Sequence, residues 1–215
     1  MDHRSQLYLI SPPAIDDVDE FAKDFRLALG GGGVACFQLR LKNAQGVRAT
    51  HEHVLRIAGA LLPIAREHDV AFLINDDPTL AASAGADGVH IGQSDTGYED
   101  ARDLLGADAS IGVTCHNSKH LALEAGEKGA DYVAFGAFFP TQTKATEYEA
   151  SPALIEWWVN ATTVPCVAIG GIAPENCAPL VRAGADFLAV SSAVWRREGG
   201  PGEAVKAFHD AIGAA

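Results

Sequence analysis

The sequence predicts a single (β/α)8 barrel, and three observations carry that expectation. Short apolar runs alternate with longer segments of helical period, which implies a parallel sheet. Eight such strand–helix units fit into 215 residues, a length that suits a closed barrel better than an open sheet. The residues that follow the runs are uniformly polar, and in such a barrel the loops after the strands carry the active site.

In chain order, a strand at 7–10 precedes helical spacing over 18–29. Gly30-Gly31-Gly32-Gly33 then turns the chain into a second strand at 34–39. This glycine run precedes a strand and lacks the G-x-G-x-x-G spacing, which excludes a dinucleotide loop. A helix is expected over 47–68, then a third strand at 71–74, with Asp77 before Pro78 reading as a helix cap. The remaining strands are expected at 88–91, 110–113, 132–135, 166–169 and 187–190. Helical spacing follows them over 98–105, 118–128, 152–160, 174–183 and 203–212. The strands are near-continuous apolar runs, as parallel strands covered on both faces are. Three phrases, Ala84-Gly85-Ala86-Asp87, Lys128-Gly129-Ala130-Asp131 and Ala183-Gly184-Ala185-Asp186, each close a helix and open a strand. Glycine suits the left-handed position after a helix, so these are structural signals without assigned chemistry. No linker divides the chain, and residues 1–215 read as one domain.

Composition bounds the function. At 48% hydrophobic and 20% charged residues the chain is globular. A net charge of −12 excludes a general nucleic-acid binder, so a bound anion requires locally concentrated cations. No apolar run approaches membrane-span length, and the first residues lack the apolar core of a signal peptide, so no membrane and a cytoplasmic location are expected. The four cysteines form no C-x-x-C pair; Cys36 and Cys166 lie in apolar runs, whereas Cys115 is expected to be partly accessible. The sequence leaves a homo-oligomer open.

At the end of the second strand, Arg40 and Lys42 are two residues apart and project to one side. With Lys144 they place three cations at one mouth, which suits a phosphate or diphosphate. For any one of them alone, a surface cation is the simpler reading. Asp76 and Asp95 leave adjacent strands and can share Mg²⁺, which takes one or two carboxylates plus waters and substrate phosphates; the competing reading is helix capping. Thr141 and Thr143 add hydroxyls after Pro140. Gly170-Gly171 and Ser191-Ser192 end strands seven and eight, the usual phosphate pocket of such barrels. Packing alone also accounts for the glycines. His116 and His120 are four apart but lack the H-E-x-x-H pattern, and a solvated helix start is favoured over a metal role. His90 reads as a wall residue, and Trp157-Trp158 as packing on the barrel. No activated nucleophile is evident. The residues thus point to two anion sites, one with Mg²⁺, and to the joining of two phosphorylated small molecules with diphosphate as leaving group.

The segments Gln38-Leu39-Arg40-x-Lys42, Ile74-Asn75-Asp76, Gly88-Val89-His90-x-Gly92-Gln93-x-Asp95, Phe139-Pro140-Thr141-x-Thr143-Lys144 and Ala168-Ile169-Gly170-Gly171-Ile172 resemble thiamine-phosphate synthases, and the likeness runs from Tyr8 to Ala193. The resemblance implies condensation of 4-amino-5-hydroxymethyl-2-methylpyrimidine diphosphate with a thiazole phosphate, through Mg²⁺-assisted loss of diphosphate and capture of a pyrimidine carbocation. It implies that Gln38, Leu39, Arg40, Leu41, Lys42, Asn75, Thr114 and Lys144 bind the pyrimidine diphosphate. Arg40, Lys42 and Lys144 would carry catalysis, and Asp76 and Asp95 would hold the metal. Thr141, Gln142, Thr143, Gly171, Ser191 and Ser192 would contact the thiazole phosphate. This chain departs from the family at Leu41, often acidic, at Thr114, usually Ser, and after Lys144, where the common glycines are missing. Two alternatives remain at this point. One is a related thiazole tautomerase, whose branch uses a His where Ala137 stands; the other is a non-catalytic thiazole-phosphate binder.

Overall fold

A computed structural model of the protein describes residues 5–140 and 148–215. Among these residues eight parallel strands close into a barrel in sequence order, with β1 pairing back to β8. They are β1 (Gln6–Ile10), β2 (Val34–Leu39), β3 (Ala71–Asn75), β4 (Gly88–Ile91), β5 (Ser110–His116), β6 (Tyr132–Phe135), β7 (Cys166–Ile169) and β8 (Phe187–Val190). The helices are α1 (Val18–Gly30), α2 (His51–Glu67), α3 (Pro78–Ala84), α4 (Tyr98–Leu105), α5 (Lys119–Lys128), α6 (Pro152–Ala161), α7 (Ala178–Arg182), α8 (Ser192–Trp195) and α9 (Gly200–Gly213). The (β/α)8 expectation therefore holds, and each predicted strand is present.

Alternation along the strands builds two cores. Outward residues such as Phe37, Phe72, Ile74, Val89 and Phe135 pack under the helices. An aromatic cluster seals α1 to the barrel, with Phe25 and Phe37 centroids 4.4 Å apart and Phe21 and Trp195 4.9 Å apart. Trp158 of α6 is 1% exposed and sits edge-on to Phe135, as packing on the barrel predicts. Inward residues Tyr8, Cys36, Leu73, Tyr132, Val167 and Ala189 fill the barrel interior.

The glycines of the three repeated phrases take the predicted left-handed backbone, and the aspartates add a role the sequence did not disclose. Asp87 accepts from the Phe72 N–H at 2.7 Å, Asp131 from that of Ile111 at 2.7 Å and Asp186 from that of Cys166 at 2.7 Å. Each aspartate's own N–H donates back to the carbonyl of the same residue. These paired bonds tie the starts of β3 to β4, β5 to β6 and β7 to β8, satisfying backbone donors that begin a strand.

Several boundaries differ from expectation, three of them near the site or its loops. Helix α2 starts at His51 rather than 47, because the Thr50 hydroxyl caps the His53 N–H. Residues 42–48 instead form a loop closed by an antiparallel bridge between Lys42 and Arg48. Helix α7 is short: Pro179 sits in its first turn, and the Asn176 side chain holds the preceding turn through the Ala173 N–H and the Gly171 carbonyl. Strand β5 runs on to His116 through an irregularity after Thr114, so His116 lies in a strand and does not share a helical face with His120. Cys115 on this extension is fully buried, which corrects the expected accessibility; burial pushes its thiol up to about 12.

Candidate active site

The carboxyl ends of β2, β3 and β4 bring the predicted cations and carboxylates together. Lys42 Nζ lies 2.8 Å from Asp76 Oδ2, while Arg48 Nη2 lies 3.0 Å from the same oxygen and 2.7 Å from Asp95 Oδ1. One guanidinium nitrogen therefore touches both carboxylates. Asp95 Oδ2 also accepts the Gly92 N–H at 2.9 Å. Asp76 is 8% exposed and has a left-handed backbone (φ 68°), a conformation Asp tolerates better than most residues and one that clusters at functional sites. Its N–H donates to the His90 carbonyl at 2.8 Å, which fixes the turn between β3 and α3 against β4. Helix capping falls to the neighbour: Asp77 accepts the Leu80 N–H, and Asp76 is left to face the mouth.

Charge in this cluster is finely balanced. Burial pushes the Asp76 carboxyl up, but the cations Lys42 and Arg48 beside it outweigh that and hold the group below the ordinary carboxylate range. Asp95 moves the other way: burial raises it, and the Asp76 charge adds to that rise. Arg40 is anchored through its N–H to Ser11 Oγ at 2.9 Å and through Nη1 to the Lys42 carbonyl at 3.1 Å. Burial lowers the pKa of its guanidinium and the Asp76 charge counters that; an arginine stays charged regardless.

Beneath the mouth runs a buried hydrogen-bonded chain. His90 Nε2 meets Thr114 Oγ1 at 2.8 Å, and His90 Nδ1 meets the Tyr132 hydroxyl at 3.0 Å. The Tyr132 and Tyr8 hydroxyls are 2.9 Å apart, Tyr8 donates to Gln38 Oε1 at 3.3 Å, and Gln38 Nε2 donates to Asn75 Oδ1 at 2.6 Å. Burial drives both phenols far up, so they remain protonated donors. With its oxygen committed to Gln38, Asn75 presents its amide NH₂ to the mouth, a donor suited to an anion. His90 is thus a wall residue, as expected, and it links three of the predicted ligands. Tyr8 and Tyr132 carry no mark of this chain in the sequence, since they are 124 positions apart.

Leu39 and Leu41 have side chains in the outer core, 2% and 6% exposed, so only their main chain can face the mouth. At the end of β8, two strands round the barrel from β2, Ser191 Oγ donates to the Ser11 carbonyl at 3.1 Å, and Ser192 is exposed at the start of α8. Thr141, Gln142, Thr143 and Lys144 lie outside the described residues. The loop leading to them is held to β7: Phe138 N–H donates to Ile169 O at 3.2 Å, and Phe139 N–H to Gly170 O at 3.0 Å. Packing explains the paired glycines. A Cβ on Gly171 (φ 63°) would lie 2.4 Å from the Pro140 carbonyl oxygen and 2.8 Å from that of Phe139. Gly171→Ala is accordingly expected to lower stability by about 1–3 kcal/mol and to displace the 137–140 segment; urea unfolding checks the first effect, and a wild-type midpoint would refute it.

Arg48 is the main site residue that sequence reasoning missed. Its position was absorbed into a helix expected to begin at 47, and the signal that would have freed it is Thr50 as an N-cap. Among the described residues no group of three or more His, Cys, Asp or Glu side chains could hold a metal. A cation at this mouth would therefore rest on the Asp76–Asp95 pair. Two hard carboxylates already converging on one cationic nitrogen fit a magnesium ion that keeps other oxygen ligands.

The family model described as thiamine monophosphate synthase matches residues 7–194. A thiamine-phosphate synthase of Rhodospirillum centenum is 55% identical over 204 residues, covering 95% of this chain and 96% of that protein. One from Hyphomonas neptunium is 53% identical, covering 96% and 93%. The solved structure of a thiamine phosphate pyrophosphorylase from Pyrococcus furiosus superposes with a TM-score of 0.83 at 30% identity, covering 99% of this chain and 97% of that one. The chain belongs to the thiamine monophosphate synthase family.

Proposed function

We propose that the chain joins 4-amino-5-hydroxymethyl-2-methylpyrimidine diphosphate to a thiazole phosphate, releasing diphosphate and forming thiamine phosphate. The observation that carries this reading is the convergence of Asp76 and Asp95 on one cation beside Lys42 and Arg40, in a barrel of the synthase family. Asp76 and Asp95 would hold Mg²⁺, which supplies charge neutralisation for the departing diphosphate. Arg40 and Lys42 would grip the diphosphate oxygens, Arg40 through its planar fork and Lys42 as a point charge. The Asn75 amide NH₂ would add a neutral donor, with Gln38 and Thr114 held in place by the buried chain below. Lys144, outside the described residues, would complete the diphosphate site. Thr141, Gln142, Thr143, Gly171, Ser191 and Ser192 would receive the thiazole phosphate.

Departure of the diphosphate leaves a pyrimidine carbocation, and the thiazole nitrogen captures it. The protein needs no nucleophile for this; positioning and electrostatics supply the rate. Residues 1–215 act as one domain on these two small molecules. Among the described residues no helix is long and apolar enough to cross a membrane, which suits a cytoplasmic biosynthetic enzyme. The tautomerase alternative is not favoured, because Ala137 stands where that branch uses His.

The test is direct. Purified protein is mixed with both substrates and Mg²⁺, and thiamine phosphate is measured. Product is expected, and a chelator is expected to abolish it. A folded protein that forms none would overturn the reading in favour of a thiazole-phosphate binder.

A further inference from the structure

The two carboxylates of the site are internally neutralised. Asp76 faces Lys42 and Arg48, and Asp95 faces the same Arg48 nitrogen, so two negative charges meet two positive ones. Arg40, adjoining through the Lys42 carbonyl, leaves the cluster net positive. A bare divalent cation gains little from approaching such a site, because Lys42 and Arg48 already occupy the oxygens it would take. A divalent cation already bound to a diphosphate is net negative and brings its own oxygens. The geometry also lets Arg48 leave. Its side chain is 51% exposed, on a loop outside the barrel strands, so its guanidinium can move into water once an incoming cation takes its place on Asp95.

We infer that Arg48 closes the Asp76–Asp95 pair to free divalent cations, and that the metal arrives as the substrate's metal–diphosphate complex, which displaces Arg48. This rests on the reading of Asp76 and Asp95 as the metal ligands of the proposed reaction. Arg48 thereby makes metal loading dependent on diphosphate. No resident ion waits in the mouth to attract stray anions.

The test measures Mn²⁺ binding by the loss of free-ion electron paramagnetic resonance signal, for the wild-type protein, Arg48→Gln and Arg48→Lys. In the absence of diphosphate, Arg48→Gln is expected to bind Mn²⁺ about fivefold or more tightly than wild type, since it removes both the competing ion pairs and a repelling charge. Arg48→Lys keeps the charge and is expected to stay near wild type. Adding inorganic diphosphate, which by itself removes the free-ion signal, is expected to raise the Mn²⁺ retained with the wild-type protein about tenfold in equilibrium dialysis. Equal affinities for wild type and Arg48→Gln, or tight loading of the wild type without diphosphate, would overturn the inference. Thiamine phosphate formation by the same preparations separates the two claims. Product with equal affinities removes the role of Arg48 alone, whereas no product with the fivefold gain removes the proposed reaction alone.

Discussion

Asp76→Ala is expected to lower turnover by at least about a hundredfold while the barrel remains folded, with diphosphate release under saturating substrates as the measurement. The carboxylate holds Lys42 Nζ at 2.8 Å and Arg48 Nη2 at 3.0 Å, and it forms half of the candidate metal pair. Its loss removes an oxygen that would hold Mg²⁺ beside the leaving group. It also releases two cations whose positions depend on it. Stability is expected to fall by no more than about 1–2 kcal/mol, because Lys42 and Arg48 reach solvent and can rehydrate. The left-handed backbone at Asp76 complicates alanine, which adopts φ 68° less readily than aspartate. Asp76→Asn separates the two effects, since asparagine tolerates that conformation but carries no charge. Both variants are expected to lose turnover alike, and near-normal diphosphate release by the asparagine variant would remove Asp76 from the metal site.

Most of the barrel was legible because parallel strands announce themselves. A strand covered on both faces is a continuous apolar run, and 34–39 or 187–190 can be read without any knowledge of the fold. Strand β5 was read short for the same reason. Thr114-Cys115-His116 is a mixed-polarity stretch, and only pairing with β6 shows that it stays in the sheet. Helix starts were harder than helix bodies: apolar spacing continued back to Val47, and the side-chain cap at Thr50 decided the boundary. That error concealed Arg48.

The candidate site was legible where polar residues and strand ends coincide. Asn75 ends β3, Arg40, Lys42, Asp76 and Asp95 lie within a few residues of the ends of β2, β3 and β4, and the barrel's closure brings them to one mouth. What the sequence could not show was which groups neutralise which. The Tyr8–Tyr132–His90 chain joins strands far apart along the polypeptide, and each member alone reads as an ordinary wall residue. In the Gly-Ala-Asp phrases the glycine announces the turn, whereas the bond from the aspartate to the preceding strand depends on strand pairing.

Arg40→Ala is expected to reduce kcat/KM for the pyrimidine diphosphate by about 10²–10³, on the order of 3–4 kcal/mol of lost transition-state stabilisation. Among the described residues the Arg40 side chain makes a hydrogen bond only to the Lys42 carbonyl, whereas Lys42 and Arg48 are engaged by carboxylates. Its charge is therefore the one least neutralised before substrate arrives. Ser11 Oγ fixes its backbone, so little order remains to be gained on binding. Partial burial strengthens what the guanidinium offers an incoming phosphate, because water screens it less. Arg40→Lys tests whether charge alone suffices. Lysine restores the positive charge but not the two parallel donors, and recovery of only about tenfold over alanine is expected. Full recovery would show that the diphosphate is held by field rather than by geometry. An unchanged kcat/KM in Arg40→Ala would move the diphosphate away from the end of β2 altogether, leaving the Asp76–Asp95 pair without the adjoining cation on which the proposed chemistry depends.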